Sequence, residues 1–184
     1  MRDRLRVLPF LCALWLACDG QLFRIQLDES GTTTVPAGTL VESLLVDFGF
    51  DSLVSMDLTA DQELQNQGVE PGDIVESFLT ELSLAATSPS GADLTFLDRV
   101  DVYVESPGEP RVLVATQDAF PPGQGKVTFD LEDVDLTPYI VSQSLTMSTD
   151  VTGRRPKDDT VVEAAFSLSV GVTGQGACHA ITER

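Results

Sequence analysis

Residues 161–173, VVEAAFSLSVGVT, alternate along their length between apolar side chains and polar or small ones. The apolar positions that share one face are Val162, Ala164, Phe166, Leu168, Val170 and Val172. Glu163, Ser167 and Ser169 fall on the opposite face. Successive side chains of a strand point to opposite sides of its sheet, so alternation of this length indicates a strand with one buried face. This segment therefore predicts a β fold.

The same pattern occurs just before this strand. Leu145, Met147 and Val151 alternate with polar residues. The connecting segment 153–159, GRRPKDD, is polar and contains a proline, which is typical of a turn. Two alternating segments joined by a turn predict a β-hairpin.

Further strands are indicated upstream. Apolar or alternating segments occur at 22–27, 74–87, 100–104, 112–114 and 127–131. Clusters of proline, glycine and serine separate several of them, at 88–91, 107–110 and 121–123. Residues 74–87 are apolar on both faces late in their length, which predicts a central strand. The predicted fold class is all-β, mainly an antiparallel β-sandwich, with a barrel as the alternative.

Helical spacing is confined to two places. In residues 38–70, Leu40, Leu44 and Phe48 recur at near-helical intervals, and residues 61–68 could form a second helical turn closed by a glycine. One or two short helices are therefore expected there. Residues 135–140, DLTPYI, predict a short helical turn whose length a proline limits.

The N-terminus reads MRDRLRVLPFLCALWLAC over residues 1–18. Three arginines precede the apolar stretch Val7–Ala17. A bilayer span needs about 20 apolar residues, so this stretch is too short to cross one. A basic start followed by a short apolar stretch is typical of a signal peptide.

The end of this leader, Leu14–Cys18 (LWLAC), resembles the lipobox of bacterial lipoproteins. The resemblance implies cleavage between Ala17 and Cys18 and attachment of acyl chains to Cys18. Residues 1–17 would be the signal peptide, residues 18–21 the lipidated cysteine with a short tether, and residues 22–184 a single β-sandwich domain. The alternatives are an ordinary cysteine left after cleavage and an uncleaved N-terminal helix.

The expected chemical state of Cys178 depends on whether Cys18 is lipidated. Lipid on Cys18 would leave Cys178 as a possible free thiol or an intermolecular link. Without lipid, a Cys18–Cys178 disulfide becomes possible, because secreted chains meet oxidising conditions.

Charge and composition exclude several functions. The chain carries 29 acidic and 11 basic residues, a net charge of −18, whereas binding nucleic acid requires a basic surface. The only histidine is His179, beside Cys178 near the C-terminus, and adjacent side chains on a strand point in opposite directions. With no other histidine to act as a base, catalytic triads are disfavoured and no enzyme is predicted.

Two charged clusters are candidate sites. Asp130, Glu132, Asp133 and Asp135 are weak Ca²⁺ candidates, since that ion takes six to eight oxygen ligands, but their spacing does not fit an EF-hand. No metal and no cofactor beyond covalent lipid is expected. Arg154, Arg155 and Lys157 could contact an anionic headgroup or an acidic partner, although a solvated turn is the expected role.

The chain is similar in composition and expected architecture to small bacterial lipoproteins built on an Ig-like β-sandwich. This resemblance implies secretion through the bacterial inner membrane and lipid anchoring in the cell envelope, with the membrane leaflet left open. The predicted function is non-enzymatic, either binding a partner protein or supporting the envelope. The alternative is a Ca²⁺- or carbohydrate-binding module. An unpaired sheet edge would favour a protein partner.

Overall fold

Two four-stranded antiparallel sheets account for the strands in a computed structural model that describes residues 23–38, 69–142 and 145–173. In chain order the elements are β1 (Phe23–Val35), a 3₁₀ turn (Pro71–Asp73), β2 (Ile74–Ser88), β3 (Leu97–Ser106), β4 (Glu109–Gln117), β5 (Lys126–Thr128), β6 (Asp130–Leu131), α1 (Thr137–Val141), β7 (Thr146–Gly153) and β8 (Thr160–Val172). The strand orders are β1-β8-β2-β5 and β6-β4-β3-β7. The all-β antiparallel sandwich is confirmed. The helices expected within residues 38–70 fall at 40–48 and 61–68, outside the described residues.

The strand with one buried face predicted at residues 161–173 is present as β8, an inner strand of the first sheet. It pairs with β1 on one side and β2 on the other, so that Leu168 lies opposite both Leu27 and Leu79. All six apolar positions of its inner face are buried. The prediction that residues 74–87 form a central strand is confirmed, because β2 lies between β8 and β5.

The second sheet is organised around β3. Val100, Val102 and Val104 are buried, and β4 returns beside β3 as an antiparallel neighbour. Gly108 closes this hairpin with a φ of 93°, a left-handed conformation that favours glycine. The helical turn predicted at residues 135–140 is present as α1.

The predicted hairpin between β7 and β8 is wrong. Strand β7 pairs with β3, whereas β8 pairs with β1 and β2, so residues 154–159 cross from one sheet to the other. Each strand has one apolar face, and placing them in opposite sheets lets both faces meet in the same core. Alternation in the sequence reports that a face is buried without reporting which sheet contains the strand.

Residues 127–131 also differ from expectation, because they form two short strands in place of one. Strand β5 pairs with β2 in the first sheet, and β6 pairs with β4 in the second. The chain changes sheets at Phe129, whose N–H donates to the Leu82 carbonyl at 2.9 Å. Phe129 is 4% exposed and therefore packs within the sandwich at this crossing.

The core between the sheets contains a small cavity of about 20 Å³. Its lining residues are Leu79, Val104, Val114, Leu136, Leu145, Met147, Phe166 and Leu168. They come from both sheets and from the start of α1, so the cavity lies at the sheet-to-sheet contact. A water here would find only apolar side chains, so the cavity is expected to be dry.

Candidate functional site

The predicted lipidation and thiol sites lie outside the described residues. This applies to Ala17, Cys18, Cys178 and His179. Cleavage, lipidation and the state of the thiol therefore stay predictions. No helix in the described ranges is long and apolar enough to cross a membrane.

The four acidic Ca²⁺ candidates are not gathered into a common site. Asp135 is occupied within the fold, because its Oδ1 accepts hydrogen bonds from the Ser77 N–H at 3.3 Å and from the Thr137 N–H and hydroxyl at 2.9 and 2.6 Å. Burial raises the pKa of the Asp135 carboxyl, but the bonds from Thr137 and Ser77 outweigh that effect and leave the pKa below its ordinary value. This carboxylate joins α1 to β2.

Of the other three candidates, Asp130 lies in β6, and Glu132 and Asp133 lie in the chain directly after it. Asp130 pairs with Thr116 in the second sheet, and the Glu132 N–H donates to the Val114 carbonyl at 2.9 Å. Across the part of the chain that the structure describes, no three His, Cys, Asp or Glu side chains stand close enough to hold a metal ion. The structure therefore adds no support for Ca²⁺ at these positions.

The three cations of the basic cluster are exposed on the segment between β7 and β8, as expected of a solvated turn. Arg154, Arg155 and Lys157 line one wall of a cleft of about 540 Å³, and residues 89–96 form much of the opposite wall. We call this feature the basic cleft. It exists because residues 154–159 connect the two sheets at one end of the sandwich and face the loop between β2 and β3.

The basic wall is fixed by backbone and side-chain bonds at several points. The Arg154 N–H donates to the Phe96 carbonyl at 2.6 Å, and the Gly38 N–H donates to the Pro156 carbonyl at 3.0 Å. The carboxylate of Asp159 accepts from the Ala37 N–H at 2.7 Å. Pro156 is buried, whereas Arg155 and Lys157 on either side of it are exposed. The loop is therefore held in place while its two neighbouring cations face solvent.

The opposite wall is organised by Asp93. Its Oδ2 accepts from the Gly123 N–H at 2.9 Å, and its Oδ1 accepts from the Thr95 N–H and hydroxyl at 3.2 and 2.6 Å. The bond from Gly123, followed by those from Thr95, holds the pKa of the Asp93 carboxyl below its ordinary value. Both carboxylate oxygens are thus engaged in fixing the loop.

The lysine and arginine side chains of the described residues differ in whether they form ion pairs. The described residues include seven lysines and arginines, and five of them form ion pairs with carboxylates. These pairs are Arg24–Glu76, Arg99–Asp101, Arg111–Asp150, Lys126–Glu81 and Arg154–Asp98. Within the described residues only Arg155 and Lys157 have no ion-pair partner, and both line the basic cleft.

A second surface follows the outer edge of β1, which we call the β1 edge. Strand β1 pairs with β8 over 13 residues without a break in register, and in the described chain no strand pairs with its other side. Glu29 lies on the same face of β1 as Leu27 and Ile25, two and four residues before it, and these two residues are buried in the core. A concave surface of about 510 Å³ extends from β1 across β8 to β2, because Asp28 and Glu29 line it together with Ser167 and Glu81, so it does not lie along the unpaired side of β1.

Tyr103 is part of a cross-strand cluster on the second sheet. The Arg111 guanidinium lies 3.6 Å from the centroid of its ring and also contacts Asp150 at 3.0 Å. Tyr139, the other tyrosine, is 5% exposed and donates to the Pro110 carbonyl at 2.9 Å. Neither ring is left as a flat, open platform of the kind that sugars stack on.

No protein-family model matches the chain, and a search of the curated proteins found no match either. The described fold is that of an antiparallel β-sandwich. Because a fold does not define a function, the two surfaces above are the basis for any functional assignment. Sequence analysis identified the cations of the basic cleft, but it could not identify the β1 edge, since pairing is a property of the folded sheet.

Proposed function

We propose that the protein is a non-enzymatic, lipid-anchored component of the bacterial cell envelope that binds a partner protein through the β1 edge. The observation that carries this proposal is the outer side of β1, 13 residues long and without a bulge, which pairs with no strand among the described residues. An edge of this kind presents a row of free N–H and C=O groups on which another strand can pair.

The charges along the edge select the partner. Asp28 and Glu29 carry carboxylates without an ion pair in the described chain, and Glu29 is directed toward the core side of an edge strand. Inward-pointing charges on edges prevent unselective pairing. A strand that brings a lysine or arginine opposite these carboxylates meets attraction in place of that penalty, so the partner strand is basic.

The same charges disfavour pairing between two copies of this chain. Each copy has a net charge of −18, and each would bring its own Asp28 and Glu29 to the shared edge. Like charges placed opposite one another on neighbouring strands are destabilising. The occupant is therefore a different protein that contributes a positively charged strand.

A peptide probe tests the proposal directly. The full chain, purified in a nonionic detergent, is titrated with a fluorescent peptide in which lysine and valine alternate, and with a matched peptide of glutamate and valine. We expect saturable binding of the basic peptide, measured by fluorescence anisotropy, and at least about tenfold weaker binding of the acidic one, since like-charge contacts cost over 1 kcal/mol.

Proline substitutions separate strand pairing from simple charge attraction. Along an edge strand the N–H groups point alternately toward the neighbouring strand and away from it, so one of Thr32→Pro and Thr33→Pro removes an outward N–H. That variant should keep the wild-type unfolding midpoint but lose the basic peptide, and the other should unfold at lower denaturant. Undiminished peptide binding in the stable variant would show that the edge is not the site.

The charge selection has its own test in Asp28→Lys. This variant should bind the basic peptide less tightly and the acidic peptide more tightly than the wild type.

The lipid anchor is tested separately. The intact mass of membrane-extracted protein should include acyl chains, and Cys18→Ala should release the protein from membranes. A soluble wild-type protein with a Cys18–Cys178 disulfide would refute the anchor while leaving the β1 edge untouched.

A further inference from the structure

We propose that the basic cleft binds a phosphate group, with Arg155 and Lys157 as the residues that contact it. This site is separate from the β1 edge and does not depend on the partner proposed above. The proposal rests on where the unpaired cations lie, how the loop that carries them is fixed, and the size of the cleft.

The two cations have no visible role in stabilising the fold. Elsewhere in the described chain every lysine and arginine contacts a carboxylate, as expected in a protein with a net charge of −18. Arg155 and Lys157 are exposed, and the residue between them, Pro156, is the one that packs and accepts the bond from Gly38. Two uncompensated cations in one concave surface create a local positive field suited to an anion.

The side-chain chemistry favours phosphate among anions. The planar guanidinium of Arg155 can donate two parallel hydrogen bonds, and the ammonium of Lys157 acts as a compact point charge. A phosphate monoester has three terminal oxygens, so both side chains can contact it at once. A carboxylate has only two oxygens, and the arginine alone can occupy both.

The loops that form the walls of the cleft are fixed before a ligand arrives. One wall is fixed by the bond that the Arg154 N–H donates and by the bonds that the Pro156 carbonyl and the Asp159 carboxylate accept, and the hydrogen bonds that Asp93 accepts fix the other. A fixed site avoids most of the entropic cost of ordering a loop on binding. The volume of about 540 Å³ is within the range of small-molecule pockets, so the phosphate is expected to carry an organic group.

Negative charge nearby limits the affinity without removing the site. Asp158 also lines the cleft and forms no ion pair in the described chain, whereas the Asp93 carboxylate is engaged by Gly123 and Thr95. At physiological ionic strength charges separated by more than about 8 Å are largely screened, so the distant carboxylates contribute little. Binding should weaken as salt is raised, and Asp158→Asn should strengthen it.

The experiment uses the full chain in a nonionic detergent that contains no phosphate. Equilibrium dialysis with radiolabelled inorganic phosphate measures saturable binding, and two phosphate monoesters, glycerol 3-phosphate and dihexanoyl phosphatidic acid, are then added as competitors. Displacement by glycerol 3-phosphate alone identifies a soluble phosphate ester as the ligand class. Displacement by the short-chain lipid as well identifies a headgroup.

Two double variants with the same change in net charge provide the comparison. Arg155→Gln with Lys157→Gln should weaken phosphate binding at least about tenfold, since each charge-assisted hydrogen bond contributes that much or more. Arg111→Gln with Lys126→Gln removes two ion-paired cations elsewhere and should leave binding within about twofold, well below the tenfold that 1.4 kcal/mol represents. Lys157→Arg keeps the charge and should retain binding.

Three outcomes would overturn the proposal. These are an absence of saturable phosphate binding, equal loss of binding in both double variants, and displacement of phosphate by succinate at lower concentration than by glycerol 3-phosphate. The second would mean that overall charge alone is responsible, and the third would mean that the cleft prefers carboxylates. Circular dichroism of each variant checks that the sandwich is intact.

Discussion

The cavity between the sheets predicts opposite outcomes for one chemical change made at two neighbouring valines of β3. Val104 lines the 20 Å³ cavity, whereas Val102, equally buried on the same strand, does not. Val104→Ile adds a methylene where there is space for it. Val102→Ile adds the same methylene where the core is already filled. The first variant should be stabilised and the second destabilised.

The expected magnitudes follow from burial and volume. A newly buried methylene contributes about 0.8 kcal/mol. Filling the 20 Å³ cavity recovers about 0.5 kcal/mol more, at roughly 24 cal/mol for each cubic ångström. Some adjustment of neighbouring side chains reduces this, so Val104→Ile should gain about 1 kcal/mol. Overpacking at Val102 should cost about 1–3 kcal/mol.

Urea unfolding followed by far-UV circular dichroism measures both effects. With a typical denaturant dependence of about 2 kcal/mol per molar urea, the midpoint should rise by roughly 0.5 M for Val104→Ile and fall by at least that much for Val102→Ile. The melting temperature should move by about 3 °C per kcal/mol in the same directions. Destabilisation of both variants, or the reverse order, would show that the sheets do not leave this cavity between them.

Three further variants test other parts of the structure. Gly153→Ala should destabilise the protein by about 2 kcal/mol in the same urea assay, because a Cβ at Gly153 would collide with the Phe96 backbone. Phe129→Ala should lower the unfolding free energy by about 3–5 kcal/mol, since it empties the position where the chain changes sheets; a loss below about 1 kcal/mol would contradict that packing. The pKa of Asp93 is lowered in the folded protein, so its ionised carboxylate stabilises the fold fully at pH values above the unfolded pKa of about 3.9. That stabilisation is lost as pH falls through the lower, folded pKa. Asp93→Asn should therefore be less stable than the wild type at neutral pH and should lose less stability on acidification below about pH 4.

Strand positions could be predicted from the sequence wherever one face is buried. The alternation in residues 161–173 corresponds to β8, and the valines at 100–104 correspond to β3. Burial of alternate residues is a local consequence of the pleat, so it is visible in a single segment. Partner strands are not local, which is why β7 and β8 were taken for a hairpin although they belong to opposite sheets.

The short strands β5 and β6 illustrate a second limit. Val127, Phe129 and Leu131 alternate as one strand would, yet the residues on either side of Phe129 pair with different sheets. A strand that changes sheets can keep its alternation, because its inward residues face the same core from both layers. The sequence pattern therefore predicts correctly which residues are buried. It predicts wrongly that they belong to one continuous strand with one hydrogen-bonded partner.

The candidate surfaces divide in the same way. The sequence shows the three cations at 154, 155 and 157, which stand out in an acidic chain. It does not show which of them form ion pairs with carboxylates. Arg154 finds Asp98 at 3.3 Å, while its neighbour Arg155 finds no carboxylate in the described chain. That distinction depends on distances between segments far apart in sequence, and it is what separates a solvated turn from a binding site.

The long ladder between β1 and β8 also sets a distance. Phe23 lies opposite Val172 at one end, and Val35 lies opposite Thr160, which lines the basic cleft, at the other. A strand of 13 residues spans about 40 Å at roughly 3.3 Å per residue. A lipid at Cys18 would fix the first end, so the sandwich would serve as a rigid spacer. It could hold the cleft several Debye lengths from the headgroups of its own membrane and present it to molecules in the surrounding aqueous space.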